Sequence, residues 1–396
     1  MSSRVVVLGG GFAGVLAARR IAAATRGKAS VLLVAANDAF VERVRFHELA
    51  AGATIPRWPL ARLVDGSGAT AVQAVARELD LGKRQIAVQH HDGRSGTIDY
   101  DILVYALGST IDRDGVQGAT EHAFSVASEQ SSRDLAAALR SQADGNQLVV
   151  CGGGMTGVEL ATEIAEAFPR LRVRLLSRDP ICEPLAPRAR SYLAAALAQR
   201  QIEVDVGKTV REVRATQLVF DDGTQPFDLC IWAASFAVPP LARSAGLAVH
   251  ANGQLELDPT LRSTSHPAVF GAGDAALPTC TVPIRMGCAT AMPMAAHAAT
   301  NVIAQIRGRR LRPFTYAYMA RFISIGRRDA LAQFTRFDDS PRRWVLTGRL
   351  ASWMKELTFR FNAFALKTGF YPWRLTLIGA PRLAAGREPA KRLPTS

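Results

Sequence analysis

Gly9-Gly10-Gly11-Phe12-Ala13-Gly14 and Gly152-Gly153-Gly154-Met155-Thr156-Gly157 are two copies of one glycine-rich fingerprint. Each follows a short apolar run, Val5-Val6-Val7-Leu8 in one case and Leu148-Val149-Val150-Cys151 in the other. Each opens an alanine-rich pattern with helical spacing. Strand, tight glycine turn and helix together begin a Rossmann unit. Its glycines let the backbone approach a pyrophosphate, which sits on the helix amino end where free N–H groups favour anions. One such unit predicts one dinucleotide. Two units far apart in the chain predict two nucleotides held face to face, with electrons passing between them.

The residues after each fingerprint bear on which nucleotide is held. Helical spacing continues through Val15, Leu16, Ala18, Arg19 and Ile21, and Val31-Leu32-Leu33-Val34 is the next strand. An acid is expected at the end of that strand to hold ribose hydroxyls. The place is taken by Ala35-Ala36-Asn37, so Asn37 or the following Asp38 must substitute. The second fingerprint runs into Val158-Glu159-Leu160-Ala161-Thr162-Glu163-Ile164, and its next strand ends in Ser177-Arg178. An acid in place of Ser177 would grip the 2′-hydroxyl of NADH and repel a phosphate. A hydroxyl beside a cation suits a 2′-phosphate, so this reading leans to NADPH with NADH as the alternative. The plain alternative for Arg178 is a solvated loop charge.

Composition sets the frame around these motifs. The 396 residues are enough for two or three domains with full cores. No signal peptide is expected, because the amino end runs straight into a strand. No apolar run reaches the ~18 residues of a spanning helix. Five scattered cysteines without a Cys-x-x-Cys predict a reduced, cytoplasmic protein with no disulfide framework. No metal-ligand spacing is present. The net charge of +14 is concentrated: residues 301–396 hold 19 Lys/Arg and 5 Asp/Glu, whereas residues 1–300 hold 29 of each. A basic last quarter favours an anionic partner surface. Nucleic acid is not the expected partner, because no recognisable module for it is present.

Three further segments complete a pattern. Tyr100 to Ser109, through Ala106 and Gly108, reads as a buried strand entering a small-residue turn. Phe227 to Ala234 repeats that shape, and Val269-Phe270-Gly271-Ala272-Gly273-Asp274 is a strand ending in Gly-Asp. With these, the chain resembles the two-dinucleotide-binding flavoproteins of the pyridine nucleotide–disulfide oxidoreductase fold, over roughly residues 4–335. Within that fold it is most similar to the type II NADH dehydrogenases, through Met155-Thr156-Gly157-Val158-Glu159-Leu160-Ala161-x-Glu163 and Tyr318-x-x-x-Phe322-Ile323-Ser324-Ile325-Gly326-Arg327-Arg328-Asp329-Ala330. The resemblance implies FAD on the first fingerprint and NAD(P)H on the second. Asp274 would then bond the FAD ribityl chain, with Gly273 allowing close approach. A helix from about Ala291 would aim its amino end at the flavin pyrimidine ring, where it stabilises negative charge. Glu163, one turn past Glu159, would point to the nicotinamide–flavin junction.

The chain also departs from that pattern. Type II enzymes carry an Ala-Gln pair before the flavin-facing helix, near their quinone pocket, whereas the run here is Met286-Gly287-Cys288-Ala289-Thr290. The segment Phe40-Val41-Glu42-Arg43-Val44-Arg45-Phe46-His47-Glu48 is too charged for plain core. If extended, it puts Arg45 and His47 on one face, close to the flavin. His47 would then be an acid–base group near neutral pH. Cys182, Cys280 and Cys288 leave a sulfide:quinone reductase reading open by spacing, while Cys151 and Cys230 read as inert strand packing.

The chain's end differs in character. Leu350, Trp353, Met354, Leu357, Phe361 and Phe364 fall on one helical face, with Arg349, Lys355, Arg360 and Lys367 around it and Trp373 beyond. A basic amphipathic helix with aromatic residues suits a membrane interface. The plain alternative is packing on the body or on a second subunit. The residues from Pro381 are expected to fray.

The expectation is therefore an α/β chain with two Rossmann-like domains and an α-rich carboxyl end. Residues 1–112 and 256–315 form a discontinuous FAD domain, 113–255 an NAD(P)H domain, and 316–396 a segment that caps the flavin and docks to membrane or a second subunit. The expected activity is an NAD(P)H dehydrogenase passing hydride to flavin and electrons on to a quinone or other small acceptor. It is cytoplasmic, or peripheral on the inner face of the cell membrane. A soluble flavoenzyme acting on one organic substrate, and a nucleotide-sensing interaction protein, are the alternatives.

Overall fold

The computed structural model describes residues 2–372. Trp373 and the segment from Pro381 lie outside the described residues. The run Val5-Val6-Val7-Leu8 is an inner strand of the larger sheet, because a parallel strand covered on both faces needs apolar side chains at every position. This strand, Ser3–Leu8, pairs in parallel with Ala29–Ala35 on one side and Ile102–Tyr105 on the other. Val269–Gly271 joins beyond Ile102–Tyr105, matching Val269 with Leu103. On the far side Ala69–Asp80 continues the parallel run, and the antiparallel strands Gln85–His90 and Ser95–Asp99 finish the seven-stranded order.

The first sheet is thus closed by a strand more than 150 residues downstream of its neighbour, Ile102–Tyr105. Between them the chain builds a second, four-stranded parallel sheet. Its order is Glu203–Val206, Arg172–Ser177, Gln147–Cys151, Leu229–Trp232. Each sheet has its own buried apolar core. Cys151 and Cys230 belong to the second, with sulfurs 3.9 Å apart and both side chains buried. A short antiparallel pair, Thr110–Ile111 with Phe236–Ala237, carries the chain between the sheets.

The helix Cys288–Ile306 packs along the first fingerprint helix Phe12–Ala24. It starts three residues earlier than the Ala291 expectation, with Ala291 buried in its first turn. Pro293 inside it has no N–H to give the Ala289 carbonyl. The Tyr316 hydroxyl supplies that donor at 3.1 Å, so the helix runs on unbroken.

The stretch around Arg45 is not extended. After the strand Ala39–Val41 the chain forms a 3-10 turn at Arg43–Arg45 and a helix at Phe46–Ala50. The reason lies in its charges. Arg45 pairs with Glu42 at 2.5 Å and with Glu48 at 3.0 Å, and both partners are three residues away. That spacing closes one turn of helix and cannot be met along a strand.

The carboxyl end contains sheet as well as helix. Ala320–Ser324, Ala330–Thr335 and Pro341–Thr347 form an antiparallel sheet that leads into the helix Gly348–Thr368. That helix packs its Ala351, Lys355, Phe359, Asn362, Ala365 and Leu366 face inward. Four members of the expected apolar stripe stay outside: Leu350 is 58%, Trp353 63%, Leu357 51% and Phe364 51% exposed. Met354 instead packs beside Ala330, Ala332 and Ala351, and the Phe361 ring meets that of Tyr371 at 5.8 Å, so two members of the stripe pack on the body and the other four are left open among the described residues. Lys355 does not belong with the surrounding cations, because it is buried inside the molecule. Among the described residues no helix is long and apolar enough to cross a membrane.

Candidate functional site

One cavity of about 2590 Å³ is lined by both fingerprints. The glycines fit dinucleotides for a steric reason that differs from position to position. A Cβ on Gly14 would sit 1.7 Å from the Gly9 carbonyl oxygen, and one on Gly157 would sit 1.8 Å from that of Gly152. These two hold helix against strand. A Cβ on Gly11 or Gly154 would meet nothing within 4 Å, because both face the open cavity. An incoming pyrophosphate needs that bare backbone, and the uncapped amino ends of Phe12–Ala24 and Met155–Ala167 supply N–H donors beside it.

Most of the predicted nucleotide contacts are on this wall. Gly9, Gly11, Phe12, Ala13, Asn37, Ala106, Gly108, Gly273, Asp274 and Ala291 line it near the first turn. Gly152, Gly154, Met155, Thr156, Ser177 and Arg178 line it near the second. Gly14 and Gly157 pack behind their turns. Asp38 also reaches the wall and pairs with Arg57 at 2.7 Å, so an acid does stand beside Asn37. Asp274 is pre-positioned: Ser109 Oγ donates to its Oδ2 at 2.8 Å and the Gly287 N–H to its Oδ1 at 2.7 Å. Arg43, which sequence reasoning passed over, lines the cavity and donates to the Ser109 carbonyl.

Around Ser177 the picture is more balanced than the sequence suggested. Ser177 Oγ donates to the Asp179 carbonyl at 2.5 Å, and Arg178 pairs with the Asp179 carboxylate at 3.0 Å. Cation and acid are therefore both at the mouth, and both are exposed.

The helix Met155–Ala167 carries three carboxylates, Glu159, Glu163 and Glu166, and the first of them lines the cavity. Glu159 Oε1 accepts from Lys355 Nζ at 2.5 Å and from the Ser324 N–H at 2.9 Å. Lys355 also donates to the Ser324 hydroxyl. Burial pushes the Glu159 carboxyl up, but Lys355, His47 and the Ser324 N–H outweigh it and hold it below the usual range. The helix amino end lines the large cavity, so the glutamate nearer Gly157 reaches it and Glu163 does not. That proximity was the available signal.

Glu163 lies instead in a separate pocket of about 470 Å³, with Arg45, Glu48, Arg327 and Glu356. Its Oε1 accepts from Arg327 Nε at 3.1 Å, and burial pushes its carboxyl up to about 7. An acid raised in the folded state adds stability below its ordinary value and loses it as pH climbs toward 7. The shift corresponds to about 3 kcal/mol. Glu163→Gln is accordingly expected to raise stability by about 1–3 kcal/mol at pH 8 and to change it little at pH 4. Urea unfolding at the two pH values measures this, and equal effects at both would contradict it.

Arg45 and His47 separate as well. Arg45 faces the small pocket, held by Glu42, Glu48 and Glu356. His47 stands in the wall between the two cavities, 4.0 Å from Glu159 Oε2. Burial lowers its pKa to about 4, with Lys355 and Arg45 adding to the effect against Glu159. It is therefore neutral near pH 7, not a group titrating there. Its Nε2 is buried without a hydrogen-bond partner, 3.9 Å from Glu48.

Cys182 and Cys288 both line the large cavity. Burial pushes the Cys288 thiol up to about 11 and the Cys182 thiol higher still. Neither offers a thiolate at neutral pH. Among the described residues no group of His, Cys, Asp and Glu side chains is arranged to hold a metal ion.

Comparison with known proteins agrees with this geometry. A family profile described as pyridine nucleotide-disulphide oxidoreductase matches residues 3–301. Demethylphylloquinone reductase NdbB of Synechocystis is 26% identical over 91% of this chain and 95% of its own. A type II NADH:quinone oxidoreductase of Staphylococcus haemolyticus is 23% identical over 89% and 93%. Two solved structures share the fold. NDH2 from Plasmodium falciparum in complex with NADH superposes with a TM-score of 0.79 at 14% identity, covering 96% of this chain and 99% of that one. The sulfide:quinone oxidoreductase of Aquifex aeolicus does so with 0.78 at 20% identity, covering 93% and 92%.

Proposed function

The chain belongs to the pyridine nucleotide-disulphide oxidoreductase family, and on that premise we propose that it is an FAD-dependent NAD(P)H:quinone oxidoreductase. The observation that carries the proposal is the single cavity onto which Gly11 and Gly154 both open, with the Glu159–Lys355 pair in its wall. Flavin-dependent NAD(P)H dehydrogenase chemistry goes with the family. A quinone acceptor is supported by the names of the two relatives above.

The first turn takes FAD: Gly9, Gly11, Phe12, Ala13 and Gly14 at the pyrophosphate, Asn37 with Asp38 at the ribose, and Ala106, Gly108, Gly273 and Asp274 along the ribityl chain. The second takes the nicotinamide nucleotide on Gly152, Gly154, Met155, Thr156 and Gly157. Arg178 favours a 2′-phosphate and Asp179 a 2′-hydroxyl, so both NADPH and NADH are accepted. Bound FAD supplies a two-electron store between nicotinamide and quinone. The net change is NAD(P)H, one proton and quinone giving NAD(P)⁺ and quinol. Ala291 lies at the start of the helix Cys288–Ile306, whose amino end favours negative charge on the ligand. Lys355 is the proton donor to the acceptor oxygen, and Glu159 with Ser324 holds its ammonium in the wall.

Residues 1–112 and 256–315 form the FAD domain, and 113–255 the nicotinamide domain. The raised thiols of Cys182 and Cys288 disfavour sulfide chemistry. Anaerobic mixing with NADH or NADPH, followed by a short-chain quinone or by oxygen, tests the function. Flavin bleaching by both nucleotides and faster reoxidation by quinone than by oxygen are expected. Reoxidation by oxygen alone would overturn the quinone assignment.

The exposed stripe is the feature that supports a membrane surface as a partner. Leu350, Trp353, Leu357 and Phe364 face outward, flanked by the exposed Arg349 and Arg360. The proposed location is peripheral, on the inner face of the cell membrane. Each large apolar side chain brought from water into the interface contributes about 1.5–3 kcal/mol. Leu350→Ser, Trp353→Ser and Leu357→Ser combined are expected to cut binding to anionic vesicles by about 100-fold or more. Vesicle flotation measures the loss. A dimer that this triple variant disrupts, with vesicle binding unchanged, would assign the stripe to a second subunit.

A further inference from the structure

One region of the cavity wall carries a charge imbalance. Three sets of charged side chains lie there. Lys355 is matched by Glu159 at 2.5 Å, and Glu183 by Arg190 at 2.7 Å. Arg285 and Arg321 share a single carboxylate: Asp339 Oδ2 lies 2.7 Å from Arg285 Nε and 2.7 Å from Arg321 Nη2. Both arginines line the cavity, and Asp339 is buried behind them. Two guanidinium groups against one carboxylate leave one positive charge over.

The excess falls on Arg285. Arg321 is the more buried of the two and is otherwise occupied, giving two hydrogen bonds to the Asp339 side chain and one to the Pro184 carbonyl. Arg285 makes one side-chain hydrogen bond, Nη2 to Asp339 Oδ1 at 3.1 Å. Its Nε is buried against Asp339, so the donors left for a ligand are on the terminal Nη1 and Nη2 groups. The group is held in place all the same. Its guanidinium lies 4.7 Å over the Tyr318 ring, and its backbone N–H donates to the Tyr318 hydroxyl at 2.8 Å. A pre-oriented guanidinium with unspent donors matches a carboxylate in both charge and fork geometry. Tyr316 meets Tyr318 edge to face at 4.8 Å, and both line the cavity beside the cation, so the wall next to the guanidinium is aromatic. Arg285 also directly precedes the run Met286 to Thr290, in which the type II pattern would carry a neutral amide and this chain does not.

We propose that the electron acceptor is a quinone-type ring bearing a carboxylate, and that Arg285 binds that carboxylate. The inference rests on the quinone reading above and narrows its substrate class. Arg285 is a specificity residue for the acceptor, distinct from Lys355, which faces the reacting oxygen.

The test is equilibrium binding to the oxidised holoenzyme, without nicotinamide nucleotide and without turnover. Calorimetry compares anthraquinone-2-carboxylate with its neutral carboxamide, and with benzoate, which has the carboxylate but no quinone. Wild type is expected to bind the acid about tenfold or more tighter than the amide, because a site with an unpaired donor discriminates strongly against a ligand lacking the partner. Benzoate should bind far more weakly than either. Arg285→Gln should bring the acid-to-amide ratio near one, and Arg285→Lys should retain part of it. A ratio within one protein preparation does not depend on how much of a variant is folded. Equal affinities in wild type, an unchanged ratio in Arg285→Gln, or benzoate binding as tightly as the acid would each overturn the proposal. Failure of the reduced protein to pass electrons to any quinone would instead overturn the function on which it rests, and the binding ratio separates the two.

Discussion

Gly157→Ala is expected to abolish reduction by NADH and NADPH at ordinary concentrations while leaving the flavin bound. The added Cβ would stand 1.8 Å from the Gly152 carbonyl oxygen. Gly152 cannot yield, because its φ is +129° and the Ala233–Ala234 backbone packs so close that even a Cβ on Gly152 would stand 2.8–2.9 Å from it. The helix Met155–Ala167 must therefore move off its strand, carrying away the N–H groups that meet the pyrophosphate. A misplacement of about 1 Å at such a site costs about 100-fold, or about 2.7 kcal/mol. The first fingerprint belongs to the other sheet and the other core, so its flavin should stay. Gly14→Ala is the mirror experiment, since its Cβ would stand 1.7 Å from the Gly9 oxygen and the flavin should be lost. The ratio of flavin to protein absorbance, followed by nucleotide titration, reads both. Rapid bleaching of Gly157→Ala by micromolar NADH would contradict the assignment of the second turn.

That pair of variants depends on what the sequence displays most clearly. The glycine positions, the apolar strands before them and the Gly273-Asp274 end are short-range features, each enforced by contacts within its own turn. The site residues were less legible because each depends on long-range placement. Glu159 and Glu163 share a helix face, and only the direction of the helix toward the cavity separates their surroundings. Arg45 and His47 alternate as a strand would, but ion pairs to Glu42 and Glu48 turn the backbone into helix. Lys355 sits in a basic amphipathic pattern and reads as a surface cation. Its partner Glu159 is nearly two hundred residues away, and no local pattern announces it. The Arg285–Asp339–Arg321 cluster is invisible in sequence for the same reason.

Lys355→Met should show how much of the site's integrity rests on that long-range pair. Removing the ammonium leaves Glu159 buried with no cation in contact, and breaking a buried pair from one side costs about 3–5 kcal/mol. The dependence on pH is the diagnostic part. In wild type the folded Glu159 is held below the usual carboxyl range, so its contribution is present above about pH 4.5 and lost as pH falls through the folded value. In the variant burial acts without its main opponent, and the folded pKa rises above the unfolded one. The carboxylate then becomes a growing liability as pH climbs from about 4.5 toward neutral. His47, freed from the repulsion of Lys355, protonates more readily at acid pH and takes over part of the pairing there. The stability gap between wild type and variant should thus be small near pH 4 and reach its full size by pH 7.5. Denaturant unfolding at both pH values measures it. Adding Glu159→Gln to the variant should recover much of the loss at pH 7.5, because the stranded charge is gone. A gap that stays constant across this range would mean that Lys355 serves as packing and not as the counter-ion of Glu159, and it would take the proposed proton donor with it.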